Sequence, residues 1–299
     1  MKDRSLVITL LILILLVIGI PLYFFLSKNN VNQIKSTRPV VAVTIFPIYD
    51  IVKNIAGDKA DINLILPVGA SEHTYDPSPL DVAKLEKSVL VFKVGVALDD
   101  WVEQLVSPKI SRVDLSTSVN LLKAMEVDNI SYDPHYWLSV DNALLIANKV
   151  KNELVKIDPT NHDYYEANLI SYNEKLSDLQ NYIEVSLKDS KGKGIITFHD
   201  AFAYFASDYG IIILSTIEPF AGKEPTPLYL SQVQDIIKSK KVKVLFKEPQ
   251  LSSDLLISYA NDFGVTILTL DPVGGGQETN TYIDMMKFNT DEIKKGLSL

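Results

Sequence analysis

The sequence predicts an α/β protein of two β/α lobes, with mainly parallel sheets, joined by one long rigid helix. Short β-branched runs alternate with helical periodicity in both halves of the chain, which is the order of elements in a parallel sheet. Between the halves, an apolar stripe recurs at helical spacing with no Gly or Pro to interrupt it. At 299 residues the chain can hold one large domain or two lobes, each with a core of its own.

The first half begins with residues 40–46, a β-branched apolar run that is typical of a buried strand. After it, segments with the helical spacing of apolar residues alternate with further strand-like runs. These helix and strand signals fall at residues 47–56, 62–66, 79–87 and 89–94. Their alternation predicts a first α/β lobe over residues 38–162.

The linking helix is predicted over residues 163–190, because one apolar stripe advances there by steps of three and four residues. The stripe consists of Tyr165, Leu169, Tyr172, Leu176, Leu179 and Ile183. Gly192 and Gly194 end this pattern, and strand-like runs resume at residues 194–198, 210–214, 242–246 and 265–270. We therefore predict a second α/β lobe over residues 191–299, with no residue-level repeat joining it to the first.

Residues 6–26 form an uncharged run that only Gly19 and Pro21 interrupt. As a helix, a run of this length spans about 31 Å, enough to cross the hydrocarbon core of a bilayer. No small-residue cleavage motif follows it, so residues 1–37 are predicted to be an uncleaved signal anchor and a polar tether. The rest of the chain would then be held at the extracytoplasmic face of the membrane. Cleavage, giving a secreted or periplasmic protein, is the alternative.

Composition excludes several functional classes. The net charge is −8 and the charged residues are interspersed, so nucleic-acid binding has no electrostatic support. The absence of cysteine excludes disulfides, thiolate metal ligands, a cysteine nucleophile and a lipid anchor on cysteine. No HExxH helix, GxSxG turn, phosphate-binding loop or dinucleotide fingerprint is present. These observations favour a binding protein over an enzyme.

Three of the four histidines stand in loop segments that suit metal ligation. His199 directly follows a predicted strand, His73 lies a few residues beyond another, and His135 lies in a Pro-containing turn. Asp271 follows the last strand-like run. Because ligands collect at the carboxyl ends of parallel strands, we expect these four side chains to meet in the cleft between the lobes. The fourth histidine, His162, precedes the linking helix in a polar segment and is predicted to face solvent.

Each of these residues also has an ordinary structural interpretation. A single histidine in a loop is more often hydrogen bonded than metal bound, and Asp-Pro after a strand is a common turn. Their combination favours a metal site, since three imidazoles and one carboxylate are a ligand set that zinc accepts. A second hypothesis makes Asp271 the general base of a zinc-dependent hydrolase. A third is a surface adhesin on the same fold.

Several short motifs occur in a specific order along the chain. They are FPIYD at 46–50, PVG at 67–69, HTYDPS at 73–78, DPHYWL at 133–138, FHDAFAYFA at 198–206, KEPQ at 247–250 and LDPV at 270–273. With them, the chain from about residue 40 onward resembles the extracytoplasmic metal-binding proteins of zinc and manganese ABC transporters, the cluster A-I family. The resemblance implies that His73, His135, His199 and Asp271 hold a metal ion between two lobes. It also implies delivery of that ion to a membrane permease.

The chain departs from this family in two respects. Family members usually carry a lipidated cysteine or are soluble after cleavage, whereas this chain is predicted to keep residues 6–26 as an anchor. Residues 122–132 contain no histidine, so the histidine-rich loop of some zinc-specific members is absent. Three imidazoles favour Zn2+ as the cargo, and Mn2+, which prefers harder oxygen ligands, is the alternative. We expect a monomer that captures the ion.

Overall fold

A computed structural model of the protein describes residues 38–124, 132–219, 221–252 and 254–299. Residues Pro39–Leu299 belong to one compact unit. Within the described ranges, no helix combines the length and the apolar character needed to cross a bilayer. The predicted anchor, residues 6–26, lies outside the described residues.

The first sheet has four parallel strands in the order β2-β1-β3-β4. The two central strands are almost fully buried, which explains why the sequence is continuously apolar there. The strands are β1 (Val40–Val43), β2 (Asp61–Leu64), β3 (Leu90–Lys93) and β4 (Ser111–Asp114). The helices between them are α1 (Phe46–Ala56), α2 (Pro79–Glu86) and α3 (Trp101–Leu105).

A helical layer follows the first sheet. After the short 3-10 turn Tyr136–Leu138 come α4 (Val140–Ile157) and α5 (His162–Leu187), and a 3-10 turn continues the latter to Ser190. Every residue of the predicted apolar stripe is buried in α5. The long joining helix is thus confirmed. Burial of the apolar stripe stabilises α5, whose intrinsic helix propensity alone would not be sufficient.

The second sheet repeats the topology of the first, with parallel strands in the order β6-β5-β7-β8. Its strands are β5 (Gly194–Thr197), β6 (Ile212–Thr216), β7 (Val244–Lys247) and β8 (Thr266–Thr269). Its helices are α6 (Ala203–Tyr209), α7 (Pro227–Ser239), α8 (Asp254–Phe263) and α9 (Tyr282–Gly296). The predicted α/β architecture of two parallel sheets is confirmed.

The apolar core is partly shared between the two halves. One continuous cluster includes Val41 and Phe92 of the first sheet, Leu176 of α5, and Phe246 and Met285 of the second half. Two smaller clusters belong to single sheets. The cluster is continuous because α5 packs against both halves at once. The predicted boundaries of the lobes at residues 38–162, 163–190 and 191–299 remain predictions.

Hydrogen bonds fasten the C-terminal segment to the first half. The indole Nε1 of Trp137 donates to the carbonyl of Pro272 at 2.7 Å, and the hydroxyl of Tyr282 donates to the carbonyl of Trp137 at 2.7 Å. The backbone N–H of Tyr282 donates to Oδ2 of Asp50 at 2.9 Å. These buried contacts fix the start of α9 against α1, and they hold the loop that follows Asp271 in place.

The shared strand order makes α2 and α7 equivalent, since each follows the strand at the same edge of its sheet. The sequence repeats at the starts of these two helices: residues 76–80 are DPSPL and residues 224–228 are EPTPL. Outside this short pattern, the absence of a residue-level repeat between the halves remains a prediction. The repeat is too short to be recognised until the topology aligns the two halves.

Candidate metal centre

Three histidines from distant parts of the chain meet at one point. The Nε2 atom of His135 lies 2.9 Å from Nε2 of His73 and 3.2 Å from Nε2 of His199. With one carboxylate oxygen of Glu72, they form a group whose possible ligand atoms all lie within 4.8 Å of one another. The structure thus brings together three of the four residues that the sequence predicts as ligands, and it adds Glu72.

The fold explains this convergence. His199 follows β5, a central strand of the second sheet, and Glu248 directly follows β7 beside it. His135 directly precedes the turn Tyr136–Leu138, and His73 lies in the loop between β2 and α2. Parallel sheets form their ligand sites at the carboxyl ends of strands, where His199 and Glu248 are placed.

Buried carboxylates orient two of the histidines. Nδ1 of His135 lies 2.7 Å from Oδ1 of Asp133, and Nδ1 of His199 lies 2.6 Å from Oε2 of Glu248. An ionised carboxylate accepts a hydrogen bond only from a protonated Nδ1, so Nε2 of each neutral ring keeps its lone pair. Both lone pairs are then directed toward the other rings. Metal-binding imidazoles are commonly fixed by such carboxylate partners.

His73 forms the open side of the group. Its side chain is 23% exposed, whereas those of His135 and His199 are 4% exposed. The neighbouring Thr74 faces the loop after β6, and a Cβ added to Gly222 would lie 2.8 Å from Cγ2 of Thr74. The mouth of the site is therefore bordered by segments of both halves.

Glu72 presents a free oxygen to the histidines. Its Oε1 is buried and has no hydrogen-bond partner among the described residues. This atom lies 3.8 Å from Nε2 of His73 and 3.9 Å from Nε2 of His135. A buried carboxylate oxygen without a partner raises the free energy of the folded state, and a bound cation would relieve that cost.

Burial and neighbouring charges shift the pKa values of these groups. Burial raises the pKa of Glu72 to about 7, against the opposing positive charge of His199. Burial also lowers the pKa of His73 and of His135 below the ordinary value of histidine. Burial would lower the pKa of His199 too, but the hydrogen bond to Glu248 and the negative charges of Glu248, Glu72 and Asp200 together raise that pKa to about 9. Without metal, a proton on His199 therefore serves as the positive charge among the rings.

Asp271 lies outside this group of ligand atoms. Its Oδ1 accepts hydrogen bonds from Nε2 of Gln250 at 2.7 Å and from two backbone N–H groups of the following loop. Its Oδ2 accepts one from the hydroxyl of Thr279 at 2.9 Å. Four donors thus already bind this carboxylate, whereas Oε1 of Glu72 has none.

The chain is similar to known metal-transport proteins along nearly its whole described length. The family model for ZnuA, zinc-uptake complex component A, periplasmic, matches residues 41–296. The chain belongs to this family. The manganese-binding lipoprotein MntA of Halalkalibacterium halodurans is 32% identical over 265 residues, which cover 86% of this chain and 88% of that protein.

Two further comparisons agree. A metal ABC transporter substrate-binding lipoprotein of Lactococcus lactis is 33% identical over 289 residues, covering 91% of this chain and 92% of that protein. The crystal structure of a zinc-bound ZnuA deletion mutant is 27% identical with a TM-score of 0.79, covering 88% of this chain and 99% of that one. The two curated relatives are named as a metal-binding and a substrate-binding lipoprotein, which confirms the prediction of a binding protein rather than an enzyme.

Sequence reasoning missed two carboxylates of this ZnuA-family site. Glu72 directly precedes His73, and Asp133 stands two residues before His135. Their positions next to predicted ligands were a usable signal, but only the structure shows that one oxygen is free and the other orients a ring. The fourth histidine, His162, is 54% exposed at the start of α5, which confirms the prediction that it faces solvent.

Proposed function

We propose that this protein captures one divalent transition-metal ion outside the cytoplasm, zinc in preference to manganese, and delivers it to a membrane permease for uptake. The convergence of three Nε2 atoms supports the proposal. The Nε2 atoms of His73, His135 and His199 lie close enough together to bind one ion, and three imidazole nitrogens are ligands that zinc accepts. Family membership supports the transport role.

The ligand set that we propose is the three histidines and one carboxylate. Asp271 is the carboxylate predicted from the sequence, and Glu72 competes with it for this place. The free Oε1 of Glu72 supports its role as the oxygen that meets the ion first. Asp271 has a single hydrogen bond on Oδ2, so this oxygen retains capacity to bind a cation as well.

Zinc is favoured over manganese because nitrogen ligands outnumber oxygen ligands in this set. Imidazole suits zinc, while manganese prefers carboxylate, carbonyl and water oxygens. Divalent affinities of such sites also follow an order in which zinc exceeds manganese. One relative is named for manganese and one related structure holds zinc, so direct measurement on this chain must decide between the ions.

Calorimetry with elemental analysis tests the proposed site in the full-length protein. We expect one zinc ion per chain, bound more tightly than manganese, and a weaker affinity in each of His73→Ala, His135→Ala and His199→Ala. Structural zinc sites bind with roughly 10–16 kcal/mol, so losing one of four ligands should cost on the order of a hundredfold to a thousandfold in affinity. His162→Ala is the matched control and should bind like the wild type. Undiminished binding in all three variants would contradict the proposal.

We also propose that residues 6–26 anchor the protein at the extracytoplasmic face of the membrane. The relatives above are named lipoproteins, but these 299 residues contain no cysteine to carry a lipid. N-terminal sequencing of the mature protein, with membrane fractionation, tests the anchor. A mature chain that starts beyond residue 26 would instead support the secreted or periplasmic alternative.

A further inference from the structure

One buried tyrosine of the second half binds the segment that carries His135. The hydroxyl of Tyr204, in α6, donates a hydrogen bond to the carbonyl of Asp133 at 2.8 Å and accepts one from the backbone N–H of Leu122 at 2.9 Å. The N–H of Asp133 in turn donates to the carbonyl of Leu122 at 3.0 Å. The hydroxyl of Tyr204 is thus used as donor and as acceptor, and both partners belong to the first half.

Asp133 connects this tyrosine to His135. Its Oδ1 accepts a hydrogen bond from the backbone N–H of His135 at 2.8 Å and lies 2.7 Å from Nδ1 of the same residue. Both residues are buried. Because two hydrogen bonds join Asp133 to His135, a shift of the Asp133 backbone would also shift the imidazole ring.

Tyr204 is also close along the chain to His199. Helix α6 begins at Ala203, four residues after His199, and the N–H of Ala201 donates to the carbonyl of His199 at 3.0 Å. The same helix packs against the turn Tyr136–Leu138, which directly follows His135. Tyr204 therefore connects two histidines from different halves of the protein through protein atoms, independently of any ion.

The separation between these two histidines already suits zinc. Bonds of about 2.0–2.1 Å from a tetrahedral zinc ion to imidazole nitrogen place two such nitrogens about 3.3–3.4 Å apart. Nε2 of His135 and Nε2 of His199 lie 3.2 Å apart, whereas Nε2 of His73 and Nε2 of His135 lie 2.9 Å apart. The pair that Tyr204 connects is thus the pair that needs almost no adjustment when zinc binds.

We propose that Tyr204 is a positioning residue of the metal site, which holds His135 at the separation from His199 that zinc requires and thereby favours zinc over manganese. The inference rests on the proposed function. Manganese prefers oxygen ligands in octahedral geometry, so two imidazoles fixed at tetrahedral spacing do not favour it. Loosening this pair should therefore weaken zinc binding more than manganese binding.

The test compares Tyr204→Phe with the wild type in the full-length protein, by competition calorimetry with Zn2+ and with Mn2+. We expect zinc affinity to fall about tenfold, as for loss of other residues that orient metal ligands, and manganese affinity to fall by less than about threefold. The ratio of zinc to manganese affinity should therefore fall. Unchanged zinc affinity, or an equal loss for both ions, would overturn the proposal.

Tyr165→Phe is the matched control. The ring of Tyr165 is buried like that of Tyr204, and its hydroxyl donates to Oδ2 of Asp158 at 2.8 Å, at the start of α5. Both variants lose a buried hydroxyl and should unfold at a lower temperature than the wild type. Only Tyr204→Phe should change the ratio of affinities. A lower ratio in Tyr165→Phe would show that reduced stability, rather than the position of His135, changes selectivity.

A double-mutant cycle identifies the histidine through which Tyr204 acts. In the His135→Ala background, Tyr204→Phe should have no further effect on zinc affinity, whereas in the His73→Ala background it should keep its effect of about tenfold. A full effect in the His135→Ala background would overturn the assignment. Wild-type protein that binds no zinc would refute the proposed function and this inference with it. Normal zinc binding with an unchanged ratio in Tyr204→Phe would refute the inference alone.

Discussion

Glu72 and Asp271 are both buried carboxylates near the three histidines, but their oxygens have opposite surroundings. Oε1 of Glu72 is buried without a hydrogen-bond partner among the described residues, whereas the oxygens of Asp271 accept four hydrogen bonds. Burial raises the pKa of Glu72, and the negative charge of Asp271 adds to the shift. We infer that the carboxylate of Glu72 destabilises the metal-free protein and contributes to binding of the ion. The carboxylate of Asp271 mainly stabilises the fold, because its hydrogen bonds hold the loop that follows it.

The largest expected effect is that of Glu72→Gln on zinc affinity. Loss of the charged oxygen should weaken binding on the order of a hundredfold, the cost of one of four ligands. The metal-free protein should become more stable at pH 8. The pKa of Glu72 rises from 4.5 to about 7 on folding, so its ionisation costs stability as pH rises through that range, and by pH 8 the cost is about 3 kcal/mol.

Calorimetry and chemical denaturation of the metal-free variant check both parts. Glu278→Gln, which changes an exposed carboxylate in the loop after Asp271, is the control and should alter neither quantity. If Glu72→Gln kept wild-type zinc affinity, the free oxygen of Glu72 would have no role in metal binding.

Asp271→Asn should have the opposite effect on stability. Hydrogen bonds to a charged acceptor are stronger than those to a neutral one, so the variant should lose about 2 kcal/mol of unfolding free energy without metal. If Asp271 acts mainly through its loop, zinc affinity should fall less than in Glu72→Gln. An equal or larger loss of affinity would instead identify Asp271 as the fourth ligand, as the sequence predicts.

The fold and the meeting of the three histidines could be predicted because the sequence signals for them are local. The stripe in α5 follows from helical spacing, and the position of His199 after β5 follows from the order of strands. Which of the two carboxylates is already hydrogen bonded in the folded protein could not be predicted. Asp271 is hydrogen bonded because Gln250 and Thr279 contact it, and these contacts form only in the folded chain.

Strand β4 and helix α4 are among the elements of the first half that the sequence did not predict, and the reasons are related. Strand β4 is an edge strand with one buried residue, so its sequence has little apolar signal. Helix α4 buries Asn142 and Glu153 on its inner face, which weakens the periodic pattern that the sequence analysis relied on. In both cases tertiary contacts, rather than local preference, determine the structure.

Zinc affinity should rise with pH, and the slope of affinity against pH shows which of the two carboxylates binds the ion. Ion binding must displace the proton of His199, whose pKa is about 9, and that of Glu72, whose pKa is about 7. Affinity should therefore rise up to about tenfold per pH unit between 7 and 9, and more steeply below 7. Glu72→Gln should remove the steeper part, while Asp271→Asn should retain it. Calorimetry in buffers of different ionisation enthalpy counts the protons released.

The smallest expected effect comes from Thr279→Val, which removes the hydroxyl bound to Oδ2 of Asp271 at nearly constant volume. The same hydroxyl oxygen accepts a hydrogen bond from the N–H of Gly276 at 3.1 Å. The variant should therefore lose about 1–2 kcal/mol of unfolding free energy in the metal-free state. Its zinc affinity should remain close to that of the wild type if Glu72 supplies the ligand oxygen. Affinity that rises instead would show that Thr279 competes with the ion for Oδ2, and Asp271 would then be the ligand.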